Sequence, residues 1–134
     1  MKKRIFLIGN FDMTKSLASL LIEKGYRVTA INNDMDNCKS LAETEKLTVF
    51  SGDGSKPSVL DEADAYNADF AIALSNRDDD NLVICELCKK KFHVKKTVAL
   101  ISDPGKIEFF RGMGVDSVVC VISIISSIIE QLSI

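Results

Sequence analysis

Length, composition and charge limit what this chain can be. It has 134 residues, 46% of them hydrophobic, and a formal net charge of −2. Such a chain can bury a full core, so we expect residues 1–134 to form a single domain. This slightly acidic balance argues against a dominant nucleic-acid contact, which would need a basic face. No apolar run reaches the roughly 20 residues of a membrane-spanning helix, so we expect no direct membrane insertion and a cytoplasmic location.

The apolar pattern alternates between strands and helices along the whole chain. Strands are predicted at 4–8, 27–31, 47–50, 70–74, 97–101 and 117–121. A short helix should follow Ser55, which is expected to cap it. Longer helices are predicted at 13–24, 35–44, 78–91, 103–111 and 122–132. This alternation indicates a doubly wound α/β fold, a mostly parallel six-stranded sheet in the order 3-2-1-4-5-6.

The four cysteines and the single histidine are predicted to be structural. Cys85 and Cys88 form a Cys-x-x-Cys pair, but it lies inside a predicted helix and no second Cys/His pair completes a zinc site. We therefore expect buried, reduced core thiols. His93 lies in a lysine-rich stretch away from the predicted ligand edge of the sheet.

The candidate ligand site lies where the strand order reverses. Ligands of open parallel sheets bind beyond the carboxyl ends of the strands at that point. The ends of strands one to four meet there. They supply ten candidate cofactor-binding residues: Gly9, Asn10, Phe11, Asp12, Asn32, Asp34, Asp53, Ser75, Asn76 and Arg77.

The first strand-to-helix turn departs from the glycine-rich phosphate-binding fingerprint. Residues 9–14 stand where Gly-x-Gly-x-x-Gly would be, and only Gly9 remains. Phe11 places a ring where pyrophosphate would approach, and Thr14 replaces the packing glycine. Asp12 adds a negative charge that repels phosphate. We therefore predict weakened phosphate binding, despite the favourable dipole of the helix.

Residues after strands two and three each have two possible roles. Asn32 stands where an acidic residue would bind ribose, and its neutral amide makes weaker bonds. Asp34 either reaches the ribose or caps the next helix. Asp53 either faces an adenine edge or bonds its own backbone in a turn.

The turn after strand four adds a cation. Asn76 is a plausible cap for the following helix. Arg77 either pairs with Asp12 or reaches a ligand phosphate.

Four stretches together resemble the RCK/KTN (TrkA-N) family. Residues 51–60, Ser-Gly-Asp-Gly-Ser-Lys-Pro-Ser-Val-Leu, are similar to that family's strand-three signature. Residues 67–75 resemble its fourth strand, and the pair Asn81-Leu82 resembles the opening of its next helix. Residues 106–116 resemble its fifth helix and the turn into strand six. The resemblance covers essentially the whole chain.

The resemblance implies a non-enzymatic regulatory subunit of a potassium transport system. Such subunits bind NAD(H), ATP, ADP or AMP; here the missing glycines weaken the site, so either one of these nucleotides binds weakly or no cofactor binds. It also implies a homodimer or ring, or a hetero-assembly with a related subunit, beside a membrane potassium-transport subunit. Residues 122–134 correspond to a crossover helix that pairs with a neighbouring subunit. Alternatively, this helix packs only on its own sheet.

Two other classes of protein remain as alternatives. A small NAD(P)-dependent oxidoreductase would need a substrate domain and a Tyr-x-x-x-Lys pair, but Phe70 follows Tyr66 at the lysine position. A receiver-like signalling domain would use Asp12 and Asp53 as acidic cluster and phospho-acceptor. The six strands and the Gly-Asp-Gly-Ser-x-Pro turn fit that class poorly.

Overall fold

The computed structural model describes residues 2–133 and contains the predicted alternation of strands and helices. The strands are β1 Arg4–Gly9, β2 Arg27–Asn32, β3 Leu47–Ser51, β4 Phe70–Leu74, β5 Lys96–Ile101 and β6 Ser117–Cys120. The α-helices are α1 Phe11–Glu23, α2 Met35–Leu41, α3 Pro57–Glu62, α4 Asp78–Glu86, α5 Ile107–Gly112 and α6 Val121–Leu132.

All six strands are parallel and lie in the order β3-β2-β1-β4-β5-β6. This confirms the predicted doubly wound fold. The central strand β1 pairs with β2 on one side and β4 on the other, and Ile8 lies in register with both Ile31 and Ala73. The chain reverses its direction of winding between β1 and β4, so a crevice opens at their carboxyl ends.

The core lies on both faces of the sheet because successive strand residues point in opposite directions. Phe6 and Ile8 pack into the larger apolar cluster with Leu60, Ile84 and Phe92. The alternate residues of β1 pack into a second cluster under α1, composed of Ile5, Leu7, Ala18, Val28 and Leu74.

Several helix boundaries differ from the prediction. Helix α1 begins at Phe11 rather than residue 13, because Asn10 caps it. The predicted helix 78–91 changes after Glu86 into a π-helical turn at Leu87–Lys91. A 3-10 turn at Pro104–Lys106 precedes α5.

The cysteines are buried, as predicted. All four are free thiols inside the fold. Burial raises the pKa of Cys85 and that of Cys88 to about 12. Within residues 2–133, no helix combines the length and apolarity needed to cross a membrane.

Candidate functional site

A polar cleft lies at the carboxyl ends of β1 to β4. Its volume is about 370 Å³. Of the ten predicted site residues, all except Asp12 and Asp34 line it. The cleft also has lining residues outside those ten: Asn33 and Gly52, which lie in the predicted strand-end segments, and Ile8, Ile31, Asn37, Gly54, Asp80 and Ile84, which the sequence reasoning missed.

Gly9 is required by the packing of the sheet. Its φ is +124°, and a β-carbon there would collide with the backbone of Ser75. The ends of β1 and β4 therefore approach each other more closely than any other residue at this position would allow. Gly9 alone is thus no sign of phosphate binding.

The start of α1 is already occupied by the chain's own side chain. Asn10 Oδ1 accepts the amide N–H of Met13 at 2.9 Å. Asp12 lies exposed in the first turn of the helix, where it complements the helix dipole. One amide donor and part of the positive dipole field are therefore used before any phosphate arrives.

Thr14 occupies the place of the third fingerprint glycine and is buried. Its side chain is 1% exposed, and its Oγ1 finds no hydrogen-bond partner among residues 2–133. Helix and sheet therefore pack around a threonine here, at the expense of one unsatisfied hydroxyl.

Asn32 ties β2 to β1 from inside the protein. Its Nδ2 donates to the Gly9 carbonyl at 2.8 Å, and its Oδ1 accepts the amide N–H of Asp34 at 2.9 Å. The residue is 6% exposed. A ribose at the predicted position would have to share Oδ1 with these existing bonds.

Asp34 is the cap of α2. Its Oδ1 accepts the amide N–H of Asn37 at 2.9 Å, so the capping alternative is the one observed. Asp34 faces the helix and does not line the cleft. Asn37, three residues after this cap, lines the cleft instead. The three-residue spacing from a capping Asp to the first turn of the helix would have been the sequence signal for Asn37.

Asp53 takes the turn role that the sequence left open. Its Oδ1 accepts the Ser55 hydroxyl at 2.7 Å and the Ser55 amide at 2.9 Å. These bonds, the hydroxyl bond first, lower the pKa of Asp53. The prediction that Ser55 caps α3 is wrong, because the cap position is Lys56 and its side chain makes no capping bond.

The turn after β4 differs from both expectations for it. The cap position of α4 is Arg77 rather than Asn76, and no side chain caps the helix. Arg77 Nε lies 3.5 Å from Asp80 Oδ2, so Arg77 pairs with Asp80 and not with Asp12. Ser75 Oγ accepts the Arg77 amide at 3.3 Å and so closes the turn.

The charges of the cleft do not favour a polyphosphate. Asp53 and Asp80 line it, whereas Arg77 is the one cation among the described lining residues and is already paired. Asn33 and Asn37 add neutral amides. The cleft therefore suits hydrogen bonding to a sugar or base better than charge pairing with phosphate.

The fold and the cleft define a dinucleotide-type α/β domain whose first turn lacks the phosphate-binding glycines. The sequence model of the TrkA-N domain family matches residues 5–121. The chain therefore belongs to the TrkA-N family, which confirms the resemblance.

Relatives of known role support this assignment. The chain is 32% identical over 115 residues to a Trk system potassium uptake protein TrkA homolog from Methanothermobacter thermautotrophicus, covering 86% of this chain and 53% of that protein. It is 29% identical over 135 residues to the Trk system potassium uptake protein TrkA of Vibrio alginolyticus, covering 96% and 30% respectively. The chain thus spans about half or less of the length of these relatives.

Solved structures share the fold. The TrkA-N domain of the Escherichia coli inner membrane protein ybaL superposes with a TM-score of 0.87 at 14% identity, covering 100% of this chain and 98% of that one. The Shewanella denitrificans Kef CTD in its AMP-bound form gives 0.79 at 22%, covering 98% and 80%. The GsuK channel bound to NAD gives 0.76 at 24%, covering 89% and 21%.

Proposed function

We propose that this chain is a non-enzymatic regulatory module of a potassium transport system and that it acts by assembling with other subunits. The named relatives support the system, since both belong to Trk potassium uptake. The proposed position is the cytoplasmic face of the membrane, reached through a membrane-embedded potassium-transport subunit.

The observation that carries the assembly proposal is the exposed apolar surface of α6. This helix has no buried residue, although seven of its twelve positions are aliphatic. Their side chains are 48–79% exposed: Val121, Ile122, Ile124, Ile125, Ile128, Ile129 and Leu132. A surface helix normally buries its apolar stripe, so this one lacks its partner surface.

A second copy of the chain is the partner we propose for α6. The helix leaves the edge strand β6 and makes little contact with its own sheet, so the alternative that it packs only on that sheet is disfavoured. The aliphatic residues of the helix form one stripe at 121, 125, 128 and 132 and another at 122 and 129. Two copies of the helix, antiparallel or crossed, would bury these stripes against each other.

The nucleotide cleft is proposed to have lost tight binding of adenine nucleotides. Kef and GsuK proteins of the same fold carry AMP or NAD. In this chain, Asn10 caps the helix that would meet the phosphates, and Arg77 is paired with Asp80. The same features argue against an NAD(P)-dependent oxidoreductase, because such an enzyme must bind its cofactor.

Isothermal titration tests the cleft. The purified chain is titrated with NADH, NAD, ATP, ADP and AMP, after dialysis to remove any ligand carried over from the cell. The proposal expects no saturable heat at millimolar ligand that depends on the cleft residue Asp53. Micromolar binding that is lost in Asp53→Asn would contradict it and make the chain a nucleotide sensor.

Potassium uptake by cells of the source organism tests the regulatory role. The chromosomal copy is deleted, or replaced by the double variant Ile125→Lys with Ile128→Lys, or by Ser127→Lys on the polar side of the same helix. We expect slowed uptake at limiting potassium for the deletion and the double variant, and normal uptake for Ser127→Lys. Normal uptake in the deletion strain would refute the proposed function.

A further inference from the structure

A basic groove lies at the edge of the sheet opposite the cleft. It has a volume of about 380 Å³ and is bordered by the amino-terminal ends of β1, β2 and β3. Among the described residues that line it, four are cations and none is acidic. The lining cations are Lys2, Arg4, Arg27 and Lys46.

Three of these cations form a row across neighbouring strands. Arg4 and Arg27 are register partners on β1 and β2. Lys46 directly precedes Leu47, which is the register partner of Val28, so Lys46 stands beside Arg27. Neighbouring strands lie about 4.8 Å apart, and like charges placed as cross-strand neighbours destabilise a sheet.

The positive charge of the row is not neutralised within the described chain. In residues 2–133, none of the four cations takes part in an ion pair. The carboxylate beside Arg4 is Asp69, but its Oδ2 accepts the Arg4 amide at 2.9 Å and its Oδ1 lies 3.7 Å from Lys95 Nζ. Asp69 therefore serves the backbone of Arg4 and a different lysine.

The backbone at Lys46 adds a second cost. Lys46 has a φ of +68°, a left-handed conformation that non-glycine side chains adopt at a cost of about 1–2 kcal/mol. Glycine or asparagine would relieve this strain, yet a long cation stands there. Like charges on neighbouring strands, with a strained backbone at one of them, make this place a candidate binding site.

Three hydroxyl-bearing residues line the same groove. Thr29 and Thr48 are register partners on β2 and β3, and Tyr26 precedes β2. Arginine forks pair bidentately with phosphate oxygens, and hydroxyls donate to them as well. Two arginines, two lysines and three hydroxyls around a concavity suit a compact, multiply charged phosphate compound.

We propose that this groove binds a small anion that carries two or more phosphate groups. The site is independent of the cleft, because strands of this length separate the two edges by about 17 Å. The contrast in charge supports the separation: acidic residues line the cleft, whereas four unpaired cations line the groove. A membrane surface fits less well, since it would meet a flat basic face rather than a concave one.

Titration with inorganic tripolyphosphate, pyrophosphate and orthophosphate tests the proposal. We expect saturable binding of one tripolyphosphate per chain, with affinity falling in that order and with rising salt. Arg27→Gln and Lys46→Gln should each weaken tripolyphosphate binding about tenfold, the effect of losing one charge-assisted contact. Lys15→Gln and Lys39→Gln, which remove exposed cations from α1 and α2, should change it less than about twofold.

Four results would overturn the proposal. The first two are the absence of saturable binding and equal weakening by the control variants. The third is loss of binding in Arg77→Gln, which would locate the anion in the cleft. The fourth is binding to anionic lipid vesicles without binding of free tripolyphosphate. Thermal melting excludes a folding defect, because removing one of the adjacent like charges should leave the melting temperature unchanged or raised. Nucleotides carry the same phosphate chain, so nucleotide binding that is lost in Arg27→Gln belongs to the groove, whereas binding that is lost in Asp53→Asn belongs to the cleft. The two proposals therefore fail independently.

Discussion

The Asn81 side chain forms hydrogen bonds with both backbone polar groups of Ser75. Its Oδ1 accepts the Ser75 amide at 2.9 Å, and its Nδ2 donates to the Ser75 carbonyl at 2.9 Å. Nδ2 also donates to the Leu100 carbonyl at 2.6 Å. This fully buried side chain therefore joins the end of β4, where the cleft wall turns, to the end of β5.

Asn81→Ala should destabilise the protein by about 2–3 kcal/mol, because it leaves buried backbone groups of Ser75 and Leu100 without partners. Urea unfolding followed by circular dichroism measures the change. Val83→Ala, at an exposed position of the same helix, is the matched control and should change stability by less than about 0.5 kcal/mol. Equal effects of the two substitutions would show that Asn81 is not a structural tie.

Thr14→Val should stabilise the protein by about 0.5–1 kcal/mol, because valine keeps the shape and removes an unsatisfied buried hydroxyl. Thr97→Val is the control at another buried threonine. Thr97 Oγ1 donates to Asp116 Oδ2 at 3.2 Å, so that substitution should destabilise. Thermal unfolding gives both values, and the same sign for both would contradict the assigned hydrogen bonding.

Asp78 should make stability depend on pH. Burial raises its pKa, but the amides of Ser102 and Asp103 and the Ser102 hydroxyl outweigh this, so the net pKa is lowered. A lowered folded-state pKa contributes stability at neutral pH that is lost as the pH falls below the ordinary value of 3.8.

Asp78→Asn should therefore lower the free energy of unfolding by about 2 kcal/mol at pH 7. The difference from the parent protein should shrink as the pH falls below 3.8. Urea unfolding at a series of pH values measures the difference. A difference that stays constant down to the acid limit would show that the charge of Asp78 does not matter.

The Cys85 and Cys88 thiols should be almost unreactive in the folded protein. A pKa raised from 9.0 to about 12 lowers the thiolate fraction at pH 8 about a thousandfold, and burial adds a steric barrier. Alkylation followed by peptide mass spectrometry should label both sites rapidly in urea and hardly at all without it. Fast labelling of the native protein would indicate that the Cys-x-x-Cys pair is open to solvent and able to bind a metal ion.

The sheet order was predictable because its signals are local and redundant. Each of the first five strands is a short apolar run closed by a polar or glycine residue, as at Ile8-Gly9, and helical spacing follows it. The fourth strand and the Gly52-Asp53 turn also carried the family resemblance. Several independent patterns therefore agreed on one topology.

The details of the cleft were less predictable because polar side chains there have several partners within reach. Asn32 could have faced a ribose, but its two polar atoms bond Gly9 and Asp34 instead. The Arg77 pairing depended on Asp80 being one helical turn away, a competitor nearer than Asp12. The basic groove could not be predicted from the sequence, because its cations come from separate strands and meet only in the folded sheet.

Sedimentation equilibrium of the purified chain tests the central claim, assembly through α6, most directly. We predict a mass of at least twice the 14.8 kDa chain at micromolar concentration. The double variant Ile125→Lys with Ile128→Lys should sediment as a single chain, while Ser127→Lys should keep the parent mass. A parent protein of single-chain mass, or a double variant of unchanged mass, would contradict the account.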